Sequence, residues 1–141
     1  MMIGIPLMRC DADPALPPGE FTAVVGVAGP IHGVFSIRCD EKTACGIGIG
    51  MLGVTGEPPH AEICDALGEV CNMVIGSFKH KTGQLGASSV LSVPTVIHGC
   101  DYEVRPLSRG TALLCRLKTP DGMVQLRFDY HLGPGTEPPE S

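Results

Sequence analysis

Aromatic side chains are scarce in this sequence: they make up 4% of its 141 residues, and tryptophan is absent. Few rings are therefore available to fill a core. The 43% of apolar residues points instead to one domain centred on aliphatic side chains and methionine. Positive charge is also in deficit. Ten Lys and Arg stand against fifteen Asp and Glu, a net charge of -5. That balance excludes the basic face that nucleic-acid binding requires and leaves room for a partner with a cationic site. Long hydrophobic runs are missing as well. None approaches the ~20 apolar residues of a bilayer span, so no membrane segment is expected. The opening "MMIGIPLMRC" is apolar but lacks a basic start, a long apolar centre and a cleavage site. It is expected to be a loose arm or a short edge strand rather than a signal peptide. Paired cysteines are lacking too. The seven present are odd in number and never spaced C-x-x-C, which suits free thiols in a reducing cytoplasm.

Proline and glycine, by contrast, are plentiful, and they mark the ends. "DADPALPPGE" and "GPGTEPPES" are poor in core residues. They leave a Pro-rich N-terminal arm over 1–20, a domain over 21–132 and a disordered tail over 133–141. Within the domain, "FTAVVGVAG" and "GVFSIRC" predict a hairpin over 21–39. Asp40 then caps a helix through "EKTACGIGIGML". A longer helix is predicted over 61–81, where Ile63, Ala66, Leu67, Val70, Cys71, Val74, Ile75 and Phe78 keep the helical period. Strands are predicted over 87–94, 102–105, 111–118 and 123–130, the last two joined by a turn at "TPDG". His32 and His98 are expected in turns. The order of strands, helices and strands implies an α+β fold, a mostly antiparallel sheet packed against two long helices.

The long helix carries an oddity. Asn72, Gly68 and Gly76 are poor helix formers and together cost about 2–3 kcal/mol relative to alanine. Projected at 100° per residue, Asp65, Glu69, Asn72 and Gly76 form one stripe opposite the apolar arc. A solvated face is the ordinary alternative. Yet an exposed face favours Lys, Glu, Gln or Ala over Asn. Two acids at i, i+4 repel unless a cation approaches. Gly76 lies where it has no internal packing role and would let a partner come close. An amide cannot serve as nucleophile or base, but it orients water by donating and accepting hydrogen bonds together. That is enough for phosphoryl hydrolysis, where positioning and electrostatics dominate. A carboxylate three residues away could hold a lysine of the phosphoryl carrier.

"DALGEVCNMVIG" resembles the motif of the CheC/CheX/FliY family of chemotaxis phosphatases, its CheX branch in particular. That motif is an acid or serine, three residues, Glu, two residues, Asn, and a later proline. Here the positions are Asp65, Glu69, Asn72 and, after a shorter gap, Pro94. "GPIHGVFSI" and "LSVPTVIHGCDYEV" resemble the family's segments on either side, and the match covers roughly residues 24–130. The resemblance implies hydrolysis of the phospho-aspartate of a CheY-type response regulator. Asn72 would orient the water and Glu69 would grip the regulator's lysine. Asp65, Gly68, Met73 and Gly76 would form the surrounding partner-binding surface. No cofactor is implied on this chain, since the regulator brings its own Mg²⁺. A cytoplasmic homodimer joined through its sheet is also implied. The alternative is a module of the same fold that binds a regulator, or builds a structural dimer, without catalysis. One departure stands out: the family's helix before the first strand is expected to be missing or displaced. Ser77 stands where the family often has asparagine, and its place in the helical projection turns it toward the apolar side.

Overall fold

The computed structural model describes residues 8–9, 21–53, 55–83, 87–100, 102 and 110–133. Apart from Met8, Arg9 and Gly133, the expected arm and tail lie outside the described residues.

Nine elements follow in order: β1 (Met8–Arg9), β2 (Phe21–Ala28), β3 (Ile31–Cys39), α1 (Glu41–Leu52), α2 (His60–Lys81), β4 (Val90–Leu91), β5 (Thr95–His98), β6 (Thr111–Thr119) and β7 (Gly122–Leu132). The strands form one antiparallel sheet in the order β1-β6-β7-β3-β2, and β4 and β5 both pair with β2. Register explains the core. Phe21, Ala23 and Val25 stand opposite Cys39, Ile37 and Phe35, and Phe35 in turn stands opposite Phe128. A side-chain period of two puts all of these on one face. Each is buried there, and the two helices cover that face. Ile63, Leu67, Val70, Cys71 and Ile75 of α2 complete the core, none more than 4% exposed.

Helix α1 begins at Asp40, whose carboxylate accepts the Thr43 N–H at 2.8 Å, and closes at Gly53 in the left-handed region at φ 65°. Helix α2 begins behind Pro59 without a side-chain cap and ends with Lys79, His80 and Lys81, a cationic last turn that suits the helix dipole. No helix among the described residues is long and apolar enough to cross a membrane.

Several expectations differ from the structure. Of the strand predicted over 87–94 only Val90–Leu91 pairs, because the Ala87 N–H donates back to the Gly83 carbonyl at 2.9 Å and Pro94 has no N–H for a ladder. Thr95–His98 forms a strand instead, so His98 is not in a turn. Nor is His32, whose ring in β3 stacks on His131 of β7 with centroids 5.4 Å apart. Ser77 is exposed rather than turned inward. Helix α1 packs near the start of α2, where its Gly48 meets Ile63, and Ser77 lies about four turns further on. Of the strand predicted over 102–105, Tyr102 is irregular, and the remaining residues lie outside the described ones.

Leu67, 1% exposed, and Glu69, on the solvent side, separate core from surface within one helical turn. Leu67→Ala is expected to lower the unfolding free energy in urea by about 2–5 kcal/mol. Glu69→Ala is expected to change it by less than about 0.5 kcal/mol.

Candidate functional site

The amphipathic register of α2 decides what faces outward. With its apolar arc held against β2 and β3, the stripe of Asp65, Glu69, Asn72 and Gly76 emerges on the other side. Asp65 and Glu69 are exposed, and Asn72 and Gly76 are partly so. The side chains of Asp65, Glu69 and Asn72 have no hydrogen-bond or ion-pair partner among the described residues. Two carboxylates and an amide thus stand in water within reach of one another, about 5–6 Å apart at Cβ along the stripe.

The two glycines of this helix have opposite surroundings. A Cβ on Gly76 would meet nothing within 4 Å, so no packing inside the chain calls for glycine there. Gly68 is buried. A Cβ there would lie 3.4 Å and 3.5 Å from Cβ and Cγ of Pro94 and 3.9 Å from Val96. Gly68, expected among the partner-facing residues, lies against Pro94 and Val96 of its own chain, at a spacing where a Cβ would make ordinary van der Waals contact. Met73 is partly buried and packs against the core.

This close approach builds a groove of about 450 Å³ along the first half of α2. Cys64, Asp65, Gly68 and Glu69 form one side, and Val93, Pro94 and Val96 the other. The Val93–Pro94 side is the part of the site that helical periodicity could not reveal. The motif proline hinted at it, but the close approach depends on the β2–β5 pairing, which brings distant residues together.

The cysteines near the stripe are inert. Cys71 is fully buried and its Sγ donates to the Ala23 carbonyl at 3.7 Å. Burial pushes its thiol up from the ordinary 9.0 to about 12, and Cys39 is raised to about 12 by burial and then by the charge of Asp40. The Cys64 thiol is also raised, by burial and then by Asp65. None of the three is a thiolate near neutral pH, so none is poised as a nucleophile. His60 and His98 stand edge to face with centroids 4.2 Å apart, and both rings contact Phe21. Among the described residues no group of three or more His, Cys, Asp or Glu could hold a metal ion.

These thiols set an alkaline limit on stability. In the folded state Cys39 and Cys71 keep their protons up to about pH 12, whereas in the unfolded chain they release them near 9.0. The unfolded state then binds fewer protons, so the stabilisation from the neutral buried thiols is complete below pH 9.0 and is lost as pH rises toward 12. Urea midpoints measured across that range are expected to fall, and Cys71→Ala is expected to flatten the decline. Separately, Gly76→Ala is expected to raise stability by up to about 1 kcal/mol in the same assay, because the added methyl meets open space and alanine favours the helix.

A sequence profile described as "Chemotaxis phosphatase CheX" matches residues 21–118. The CheY-P phosphatase CheX of Thermotoga maritima is 28% identical over 116 residues, covering 82% of this chain and 72% of that one. Among solved structures, chemotaxis protein CheX from Vibrio vulnificus superposes with a TM-score of 0.78 at 24% identity, covering 92% of this chain and 86% of that one. The CheX chain of a CheX-CheY-BeF3-Mg²⁺ complex from Borrelia burgdorferi gives 0.68 at 19% identity, with 91% and 84% covered. The fold is shared with both structures. With the profile spanning more than half of its length, the chain belongs to the CheX family of chemotaxis phosphatases.

Proposed function

We propose that this chain hydrolyses the phospho-aspartate of a CheY-type response regulator, with Asn72 orienting the attacking water and Glu69 gripping the regulator's lysine. The observation that carries this reading is the stripe itself. An amide and two carboxylates that have no hydrogen-bond or ion-pair partner among the described residues lie beside Gly76, over which a Cβ would meet nothing within 4 Å. The helix forfeits stability to keep Asn72 and Gly76 there, and a merely solvated face would not require either.

The chemistry suits so spare a site. The water oxygen attacks phosphorus as the bond to the aspartyl oxygen breaks. The leaving group departs as a carboxylate of low basicity, pKa about 3.9, so it needs no general acid. What remains is to hold the water in line. The Asn72 carbonyl oxygen accepts a hydrogen bond from the water, and its N–H₂ donates toward the phosphoryl oxygens. Fixing that geometry removes much of the entropic part of the barrier. Glu69, about one turn away, sets the orientation of the whole partner through a charge-assisted hydrogen bond to an ammonium group. Asp65 adds negative charge behind it. The magnesium ion belongs to the regulator's phosphoryl site, and α2 approaches it from outside.

The reading extends to a cytoplasmic homodimer. Val34, Ile97 and Leu114, on the sheet face away from the helices, are 38%, 39% and 45% exposed. A second copy covering that face would leave both stripes free.

Response regulators phosphorylated with a small donor and Mg²⁺ provide the test. The chain is expected to accelerate phosphate release. Asn72→Ala is expected to lower kcat at least 100-fold while binding to a beryllofluoride-charged regulator persists, about 3 kcal/mol of transition-state stabilisation. Glu69→Ala is expected to weaken that binding at least tenfold. Release unchanged by Asn72→Ala would leave the non-catalytic binding module as the better reading. Light scattering on Leu114→Glu checks the dimer, which is expected to dissociate, whereas Asn72→Ala leaves it intact.

A further inference from the structure

Resting on the regulator-binding reading above, we infer that Val93 is a specificity-determining residue. With Pro94 it forms an apolar wall that receives the methylene stem of the partner's lysine while Glu69 and Asp65 hold its ammonium group.

The groove on α2 has two unlike sides. One carries the carboxylates of Asp65 and Glu69. The other is hydrocarbon from Val93, Pro94 and Val96. A lysine side chain has the same division, a four-carbon apolar stem ending in a compact charge. A short acid would leave the apolar wall wet, and an anionic ligand would meet two carboxylates. A stem lying along Val93 with its tip at Glu69 satisfies both sides at once.

Val93 is 85% exposed, the most exposed of the large apolar side chains among the described residues. Its exposure does not come from a loose backbone. Just before it, the Ser92 N–H donates to the Gly26 carbonyl at 2.9 Å, and the Ser92 Oγ accepts the Gly26 N–H at 2.8 Å. Just after it, Pro94 is seated on Gly68, and Thr95 begins the pairing of β5 with β2. The chain therefore holds an isopropyl group in water on a pinned support, beside the carboxylate that the proposed chemistry uses. A rigid apolar contact next to a charge is an arrangement that contributes strongly once a partner excludes water from it.

The probe is a CheY-type regulator that the wild-type chain dephosphorylates, charged with phosphoryl for turnover and with beryllofluoride for titration. Val93→Ala removes two methyl groups from the wall, and KM is expected to rise about tenfold with kcat within about twofold. Val93→Ile keeps the wall and is expected to retain KM. The deciding readout is a double-mutant cycle. If both residues act on one lysine, Val93→Ala and Glu69→Gln are strongly non-additive in titration, and Val93→Ala has little further effect on a regulator whose lysine is replaced by alanine. Unchanged KM in Val93→Ala, or strict additivity with Glu69→Gln, overturns this inference and leaves the phosphatase reading standing. Failure of the wild-type chain to bind or turn over any regulator overturns both.

Discussion

Ile63, Leu67, Val70, Cys71 and Ile75 are all but removed from water where α2 lies on β2 and β3, and every other feature of the site follows from that contact. A helix has a single rotational setting once its apolar arc is buried. Turning α2 by one residue would swing the arc through 100°, taking Leu67 toward water and carrying the polar stripe toward the sheet. Burying an amide or carboxylate without a partner costs several kcal/mol, so the alternative setting is closed. The outward aim of Glu69 and Asn72 is thus a by-product of core packing. It needs no network of its own to hold it, which is consistent with the lack of internal partners among the described residues.

Such an economy fits a reaction whose other parts arrive with the partner. The stripe is a convex helix face flanked by an open groove, with its two acids exposed and its amide partly so. A hydrolase that worked alone would need a water-excluding pocket to strengthen its electrostatics. A protein that completes another's site needs the reverse, an accessible and rigid surface that slides in. Asn72 and Gly76 make sense on these terms. In the proposed reaction one would supply hydrogen bonds in two directions and the other would supply clearance. The helix tolerates both because its stability comes from tertiary burial rather than from propensity.

Periodicity carried most of the architecture. The hairpin over 21–39, both helices and the final hairpin were legible because each repeats a two- or 3.6-residue pattern over several residues, and the Asp40 cap because aspartate before a helix is a favoured capping residue. The segment from Ala87 to His98 was not. The sequence predicts a strand over 87–94 and a turn at His98, but the Ser92–Gly26 hydrogen bonds and Pro94 divide the segment into two short strands around a corner. Such corners are decided by which distant strand lies alongside, here β2, and no local pattern encodes that. The same limit applies to Gly68. Helical projection sets Gly76 on the polar stripe and Gly68 off it, but it does not say what covers either. One lies under a proline that pairing brings across from more than twenty residues away, and the other lies under open space. Asn72 could be singled out in the sequence because it violated a local preference without any visible internal compensation.

The seating of Pro94 on Gly68 joins the groove to the core. Gly68 belongs to the same helix turn as the buried Leu67, so the segment resting on it sits against an element that core packing holds in place. The far wall is tied to the same sheet, through Ser92 to Gly26 and through Val96 to Ala23. Carboxylates and apolar wall therefore belong to one rigid body whose internal spacing cannot relax without disturbing a close-packed centre. A surface of that kind selects a partner that already matches it and does not adapt to one that does not. Widening the groove to accept a bulkier group would have to begin beneath it, at Leu67 or Ala23, where each lost contact is paid in folding stability.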